Sequence, residues 1–298
     1  MRTMRRFAFV IVVIVSVMFM AELALRWAGF IDFPVYSVDR EIGYVPAPSQ
    51  AGSFLNKNDW VVNERSMGIA TAWIPNGNKD LLLIGDSLVW GGNPLAQREK
   101  LGPVLARLIP DWAVWPASAG SWGVLNEITW LDRNEDVQRE ADVVVWVLNT
   151  ADLAERTQWG SELTHPRQKP ALAIGFLLEK YVIPKLSASK PAEVSPEKGV
   201  QVVDATVQAF SDRLRELAGR KVLIVLYPTR SELTVSDGYD LFREAVIASL
   251  SGCCDMLEIK TLPEWSNSLY RDEIHPTVRG NEVFARAIAS YVNELNNQ

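Results

Sequence analysis

The hydropathy pattern opens with an uncharged apolar run over residues 7–21, which follows three arginines within the first six residues. At about 15 residues the run is shorter than the ~20 that a spanning helix needs, and a basic start before such a run is also typical of a cleaved signal peptide. Continued past Glu22 to Trp27, the segment is long enough to span, and residues 20–22 offer no small-x-small cleavage pattern. We therefore predict a retained signal-anchor over residues 1–27, held in the inner membrane with the rest of the chain exported.

From residue 80 onward, short continuous apolar runs alternate with stretches of helical periodicity. Apolar runs bounded by polar residues are typical of strands buried on both faces. The strand candidates are residues 81–84, 112–115, 143–148, 221–226 and 255–259, and the helix candidates are 101–109, 125–131, 202–217, 239–250 and 277–295. This alternation predicts an α/β fold, a flavodoxin-like three-layer sandwich around a mostly parallel sheet of five strands, over residues 80–298.

Two segments do not follow the alternation. Residues 28–79 are rich in Pro, Asn, Gly and Ser, and they predict a linker and irregular lead-in that can add edge strands. Residues 155–199 hold five prolines and a helical stretch near 172–181, and they interrupt the connection after the third strand. An insertion of this size is commonly a lid or cap over a site, but it is equally compatible with a solvated excursion that has no role.

Composition then narrows the functional classes. The chain carries 30 Lys and Arg against 36 Asp and Glu, a formal net charge of −6, which argues against a nucleic-acid partner. We find no metal-ligand spacing of His and Cys and no phosphate-binding glycine loop, so we predict neither a metal nor a cofactor. Only His165 and His275 are available for histidine-dependent chemistry, and His165, without a suitably spaced carboxylate, is expected in a surface loop.

Gly85-Asp86-Ser87 directly follows the first predicted strand. Ligands of parallel sheets bind outside the carboxyl ends of the strands, so a serine in this turn presents its hydroxyl to the crevice, although the tripeptide is also common in ordinary turns. Asp272 and His275 lie three residues apart in the loop before the last helix. An aspartate at this spacing can orient the imidazole to accept a proton from a hydroxyl. We predict that Ser87, Asp272 and His275 form a nucleophile, orienting carboxylate and base.

Two further turns follow neighbouring strands. Gly120 lies after the second strand and Asn149 ends the third, where a backbone N–H and a side-chain amide can hold a developing oxyanion. Each is also an ordinary turn or cap residue. Trp90 and Trp122 lie three residues beyond Ser87 and two beyond Gly120, which makes them candidates for lining the substrate crevice.

These blocks resemble the SGNH (GDSL-type) hydrolase superfamily over roughly residues 80–295, most closely at the Gly-Asp-Ser and Asp-x-x-His blocks. Two blocks depart from the family pattern. Pro116 stands where the family usually has Asn, and the third block reads Val-Leu-Asn-Thr around Asn149 instead of Gly-x-Asn-Asp, so Gly123 is an alternative to Gly120. The resemblance implies the catalytic residues Ser87, Asp272 and His275, with an oxyanion hole made by Ser87, Gly120 and Asn149.

The resemblance implies ester hydrolysis or acyl transfer through an acyl-enzyme. Residues 43–46 and 62–64 are similar to membrane-anchored members that work on exported polysaccharide. This similarity implies an acylated glycan, with O-acetyl groups on a cell-envelope polysaccharide, or a small ester as the substrate. The alternative is a glycan-binding envelope scaffold that keeps the fold without catalysis, a reading to which the relaxed second and third blocks point.

Overall fold

The computed structural model describes residues 2–75, 79–186, 202–217, 219–235, 237–250, 252 and 254–296. The chain begins with helix α1 (Arg2–Trp27). Its Thr3–Trp27 part is long and apolar enough to cross a membrane, with a mean hydropathy of 2.7 in its most apolar window, and its apolar side chains are largely exposed. A helix of this kind near the N-terminus is either a membrane anchor or a signal sequence.

The lead-in forms two antiparallel hairpins rather than edge strands of the main sheet. Strand β1 (Tyr36–Asp39) pairs with β2 (Gly43–Pro46), and β3 (Gln50–Phe54) pairs with β4 (Asn58–Val62). The segment packs against the main sheet, because Tyr44 is completely buried in the same apolar cluster as the sheet. The aromatic residues scattered through the lead-in therefore fix it against the rest of the protein.

The main sheet has five strands, as the alternation predicts. In chain order they are β5 (Lys79–Gly85), β6 (Trp112–Ser118), β7 (Val143–Leu148), β8 (Lys221–Leu226) and β9 (Asp255–Glu258). Their spatial order is β6-β5-β7-β8-β9, and all neighbours are parallel. Every residue of β7 is buried, as expected for a strand covered on both faces.

Helices cover both faces of this sheet. The remaining helices are α2 (Ser87–Trp90), α3 (Leu101–Leu108), α4 (Val124–Arg133), α5 (Glu135–Glu140), α6 (Ala173–Leu177), α7 (Ile183–Leu186), α8 (Asp204–Glu216), α9 (Asp237–Leu250) and α10 (Val278–Asn296). One apolar cluster joins the sheet to α4, α8 and α9, and a second joins it to α3 and α10. The two clusters make the predicted three-layer sandwich.

From β5 the chain adds β6 on one side of the sheet and then β7 on the other, so the carboxyl end of β5 is a topological switch point. Open α/β sheets bind ligands at such points. At that point the chain turns directly from β5 into α2. A Cβ on Gly85 would lie 2.8 Å from a methyl of Val89 and 3.1 Å from the carbonyl oxygen of Val147. Only glycine therefore allows this tight turn, which presents Ser87 above the strand end.

Candidate active site

The structure brings Ser87 and His275 together from positions 188 residues apart. The Ser87 hydroxyl oxygen lies 3.0 Å from His275 Nε2, and His275 Nδ1 lies 2.9 and 3.0 Å from the two carboxylate oxygens of Asp272. A carboxylate only accepts hydrogen bonds, so Nδ1 carries the imidazole proton and Nε2 faces the serine hydroxyl as an acceptor. This geometry lets the imidazole take the serine proton.

The side chain of Asp272 stabilises the loop that carries Asp272 and His275. One Asp272 oxygen accepts the backbone N–H groups of Ile274 at 3.0 Å and His275 at 2.8 Å. Flanking backbone contacts close the loop, with Tyr270 bridged to Pro276. The short Asp-x-x-His spacing therefore does two things, because it orients the ring and shapes the turn that holds the ring in place.

Asp272 stays a carboxylate at neutral pH. Partial burial acts to raise its pKa, but the two backbone N–H groups and the His275 imidazole outweigh burial and lower it below the ordinary value. The guanidinium of Arg271 lies 3.6 Å from the same carboxylate. A negative charge is thus fixed beside the imidazole, where it stabilises the imidazolium that forms when His275 accepts a proton.

Asp86 shapes the nucleophile turn. Its carboxylate accepts the backbone N–H of Leu88 at 2.8 Å, which caps α2, and its second oxygen lies 3.2 Å from the Ser87 hydroxyl oxygen. The side chain is almost fully buried, and burial raises its pKa although the Leu88 N–H and His275 oppose this. Asp86 thus fixes the position and orientation of Ser87.

The amide of Asn149 reaches the predicted place but is already engaged. Its Nδ2 donates to Asp86 at 3.1 Å and to the carboxylate of Asp152 at 3.0 Å. An amide nitrogen has two hydrogens, so both are used in this structure and neither is offered to an oxyanion. Asn149 can act as an oxyanion donor only when substrate displaces the bond to Asp86.

Gly120 lies in a turn beside the nucleophile. The register pairs Gly85 with Ser118, so the residues two positions beyond each, Ser87 and Gly120, follow the ends of two adjacent strands. Among the described residues, no hydrogen bond takes the backbone N–H of Gly120, whereas that of Gly123 donates to Asn126 at 3.1 Å. The structure therefore favours Gly120 over Gly123 as the glycine with a free donor.

Two residues that hold Gly120 escape sequence reasoning. Its carbonyl oxygen accepts the hydroxyl of Tyr44 at 2.6 Å and lies 3.0 Å from Nε2 of His165, which must donate because a carbonyl only accepts. The His165 ring also lies between Tyr36 and Tyr44, with ring centroids 4.9 and 4.3 Å away. His165 lies in a loop, as predicted, but it is not a free surface residue, because the insertion folds back over the lead-in and partly buries the ring. This burial lowers the pKa of His165.

The two tryptophans predicted to line the crevice are buried. Trp90 is 4% exposed and Trp122 is 2% exposed, so neither presents a ring face to a substrate in this structure. Trp122 donates its ring N–H to the carbonyl of Tyr44, and Trp90 lies under the ammonium of Lys100. The prediction does not hold in this structure because the lead-in covers both rings. No local sequence pattern indicates how the lead-in packs.

A cluster of buried carboxyl groups lies behind the turn. Glu127 is completely buried and accepts the ring N–H of Trp146 at 2.6 Å, and burial raises its pKa to about 8. Burial also raises the pKa of Asp152 well above its usual value. A signal for Glu127 exists in the sequence, since it lies three residues after Val124 and four before Leu131 on the apolar face of α4.

Glu127→Gln is expected to flatten the pH dependence of stability. The pKa of Glu127 is about 8 in the folded protein and ~4.3 in an unfolded chain, so between these values the folded state holds one extra proton. The free energy of unfolding then falls by up to ~1.4 kcal/mol per pH unit as pH rises. Gln cannot titrate, so its unfolding midpoint should decline less from pH 5 to pH 8 than that of the native protein. The exposed Glu135→Gln is the matched control, and equal slopes for all three proteins would contradict the account.

No family model matches the chain, and the search of curated proteins finds no match. Solved structures do resemble it. A family two carbohydrate esterase from Clostridium thermocellum in complex with cellohexaose has a TM-score of 0.45 at 14% identity, covering 76% of this chain and 67% of that one. The esterase EstA from Pseudoalteromonas sp. has 0.45 at 13%, covering 74% and 100%. A member of the lipolytic G-D-S-L family from Veillonella parvula has 0.42 at 13%, covering 70% and 95%. Likeness at this level carries no argument about activity, and the site stands on its own geometry.

Proposed function

We propose that the protein is a membrane-anchored serine esterase or O-acyltransferase of the SGNH type that acts on O-acyl groups, acetyl foremost, of a cell-envelope or exported glycan. One observation supports this most directly: the Ser87 hydroxyl lies 3.0 Å from an imidazole nitrogen whose partner nitrogen faces the Asp272 carboxylate. A serine, a base and an orienting carboxylate in this order are the parts that acyl transfer requires.

In the proposed mechanism the Ser87 oxygen attacks the ester carbonyl carbon while His275 Nε2 accepts the hydroxyl proton. The carbonyl π electrons move to oxygen, and the tetrahedral oxyanion forms. It collapses with cleavage of the bond to the alcohol oxygen, which takes the proton from His275 and leaves as the alcohol. Water, or a hydroxyl of an acceptor sugar, then attacks the acyl-Ser87 ester with His275 again as base. The second tetrahedral intermediate collapses with cleavage of the bond to the Ser87 oxygen, which takes the proton back from His275. The first outcome is hydrolysis and the second is transfer.

The oxyanion requires donors aimed at where charge develops, each worth ~3 kcal/mol on removal. The free N–H of Gly120 supports its assignment to this role, together with the N–H of Ser87. Tyr44 and His165 both hold the Gly120 carbonyl, which belongs to the peptide after the donor, so the turn around Gly120 is restrained before substrate arrives. Asn149 joins as a third donor when its bond to Asp86 is exchanged for the oxyanion.

Retention of α1 as an anchor is supported by contacts between its end and the insertion. Glu22 accepts the backbone N–H groups of Ala173 at 2.8 Å and Ile174 at 3.0 Å. Arg26 donates to the carbonyl of Ala171 at 2.6 Å. Removal of α1 would leave these groups without their partners. The three arginines in the first turns of α1 support a cytoplasmic N-terminus, with the catalytic domain on the exported side of the inner membrane.

The proposal is tested with the purified full chain in detergent, supplied with an acetylated oligosaccharide, with and without an unacetylated acceptor. We expect free acetate in water alone, and mass spectrometry of the acceptor shows whether acetyl groups are also transferred. Acetate without transfer identifies a hydrolase, and an acetylated acceptor identifies a transferase. If neither this glycan nor a small acetyl ester is turned over, the proposed function is wrong.

A further inference from the structure

An exposed apolar surface lies in the insertion, over residues 172–186, and the candidate active site does not use it. The segment consists of α6, a single π turn (Leu178–Val182) and α7. Its exposed side chains are Leu172 at 65%, Leu178 at 46%, Tyr181 at 50%, Val182 at 40%, Ile183 at 52% and Leu186 at 78% exposed. A run of large apolar side chains in water is a feature that calls for a partner.

One side of the segment packs against the protein, and the other side is exposed. Ala173 and Phe176 are buried in a small cluster with Phe33, which fixes the start of the segment to the lead-in. Leu178, Val182 and Leu186 follow at intervals of four residues and form a stripe that the described residues leave between 40% and 78% exposed. The next stretch of sequence, residues 187–201, has only two large aliphatic side chains and is a poor match for such a stripe.

The segment begins beside the end of α1. The Glu22 carboxylate accepts the first two backbone N–H groups of α6, and Leu25 packs against the cluster that holds it. Trp27, the last residue of α1, is 84% exposed. Tryptophan at the end of an apolar helix is typical of the membrane–water interface. The segment therefore starts near the point where α1 would leave the bilayer.

The charges of the segment also suit a lipid surface. Within residues 172–186 there are two lysines and one glutamate, a small basic excess. The Lys180 ammonium lies 5.2 Å from the ring centre of Phe176 and 5.9 Å from that of Tyr181, so a positive charge is held against aromatic rings of the segment. Basic residues together with aromatic and aliphatic side chains are typical of interfacial helices.

We propose that residues 172–186 lie in the interfacial layer of the bilayer that α1 spans, with Leu178, Val182 and Leu186 directed toward the acyl chains. This inference rests on the anchoring half of the proposed function and is independent of the esterase half. It gives the catalytic domain a second attachment to the membrane, so the domain is held in one orientation instead of swinging from a single helix.

The orientation bears on the substrate. His165 touches the Gly120 turn, and Pro170, five residues later, accepts a hydrogen bond from Arg26 at the end of α1. Five residues span at most ~18 Å, so a short strap ties the oxyanion turn to the membrane helix. The site would then work on ester groups close to the membrane surface rather than on glycan far from it.

The test uses the full chain in nanodiscs that contain phosphatidylglycerol, in a background with Cys253→Ser and Cys254→Ser. Single cysteines at Leu178, Leu241 and Val13 are labelled with the environment-sensitive fluorophore NBD. Leu241 is the matched control, because it is 61% exposed on α9 and outside this segment, and Val13 reports the anchor. Doxyl groups are placed on lipids either near the headgroup or deep in the acyl region.

We expect headgroup-level doxyl lipids to reduce the emission at position 178 at least about twofold, as for a helix buried 5–10 Å into the interface, with no change at position 241. Deep doxyl lipids should quench position 13. If position 178 behaves like position 241 while position 13 is quenched, the inference fails and the anchor stands. Blue-shifted emission at 178 without quenching would show that protein covers the segment, which also overturns it. No quenching at 13 would remove the anchor and the inference with it.

Discussion

Ser87→Ala is expected to reduce the turnover of a small acetyl ester by three orders of magnitude or more, to a rate near the uncatalysed one. The hydroxyl oxygen removed is the atom 3.0 Å from His275 Nε2 and is the only group in this arrangement that can carry the acyl chain. Loss of a serine nucleophile that acts as a unit with its base typically costs ~10⁶-fold in kcat. Initial rates with 4-nitrophenyl acetate measure the effect.

The control for this change is Ser268→Ala, which removes an exposed hydroxyl from the 3₁₀ turn Asn267–Leu269 and keeps Ser87, Asp272 and His275. It should leave the rate unchanged. Substantial activity in Ser87→Ala, with the fold intact by circular dichroism, would contradict the proposed nucleophile. Absence of turnover even in the native chain, together with retained glycan binding in His275→Ala, would favour the scaffold alternative, since a binding surface does not need the imidazole.

Asp272→Asn is expected to lower kcat about 10³- to 10⁴-fold while leaving the loop folded. The Asn oxygen can still accept the backbone N–H groups of Ile274 and His275, as the native carboxylate does. The Asn nitrogen, however, donates to His275 Nδ1 and so moves the imidazole proton to Nε2, where it faces Ser87. In that tautomer the imidazole cannot accept the serine proton. Steady-state kinetics at several pH values between 6 and 9 measure the change.

His165→Ala is the natural comparison, because His165 is the only other histidine. It removes one of two hydrogen bonds to the Gly120 carbonyl while that of Tyr44 remains. A net hydrogen bond is worth ~1 kcal/mol, so the expected loss of activity is less than about tenfold. If His165→Ala were as severe as Asp272→Asn, or Asp272→Asn were nearly neutral, the assignment of the base would be wrong.

Local pattern was enough to predict the scaffold and the three residues that meet at the candidate site. The continuous apolar runs of β5 and β7 mark buried strands, and the parallel topology brings their carboxyl ends to one edge. The Asp272–His275 spacing is local as well, because the carboxylate both caps its own turn and meets the ring. The contact between His275 and Ser87 is long-range, and the topology supplies it, because the loop before α10 meets the turn after β5.

The remainder of the site depends on contacts that no local pattern encodes. Tyr44 and His165 meet at the Gly120 carbonyl from the lead-in and from the insertion, two segments without regular periodicity. The burial of Trp122 has the same origin, because the lead-in lies over it. The engaged state of Asn149 depends on two acidic neighbours, of which Asp152 lies just beyond the strand and resembles an ordinary turn residue. Sequence spacing places such residues but does not reveal which hydrogen bonds they have already made.

The central claim, that Ser87 is an activated nucleophile, is tested most directly by the site of covalent modification with a fluorophosphonate. The full native chain is treated in detergent, digested and analysed by peptide mass spectrometry beside Ser87→Ala. We expect one phosphonyl adduct, on the peptide that contains Ser87, and none in the variant. An adduct on another residue, or a folded native chain that does not react, would contradict it.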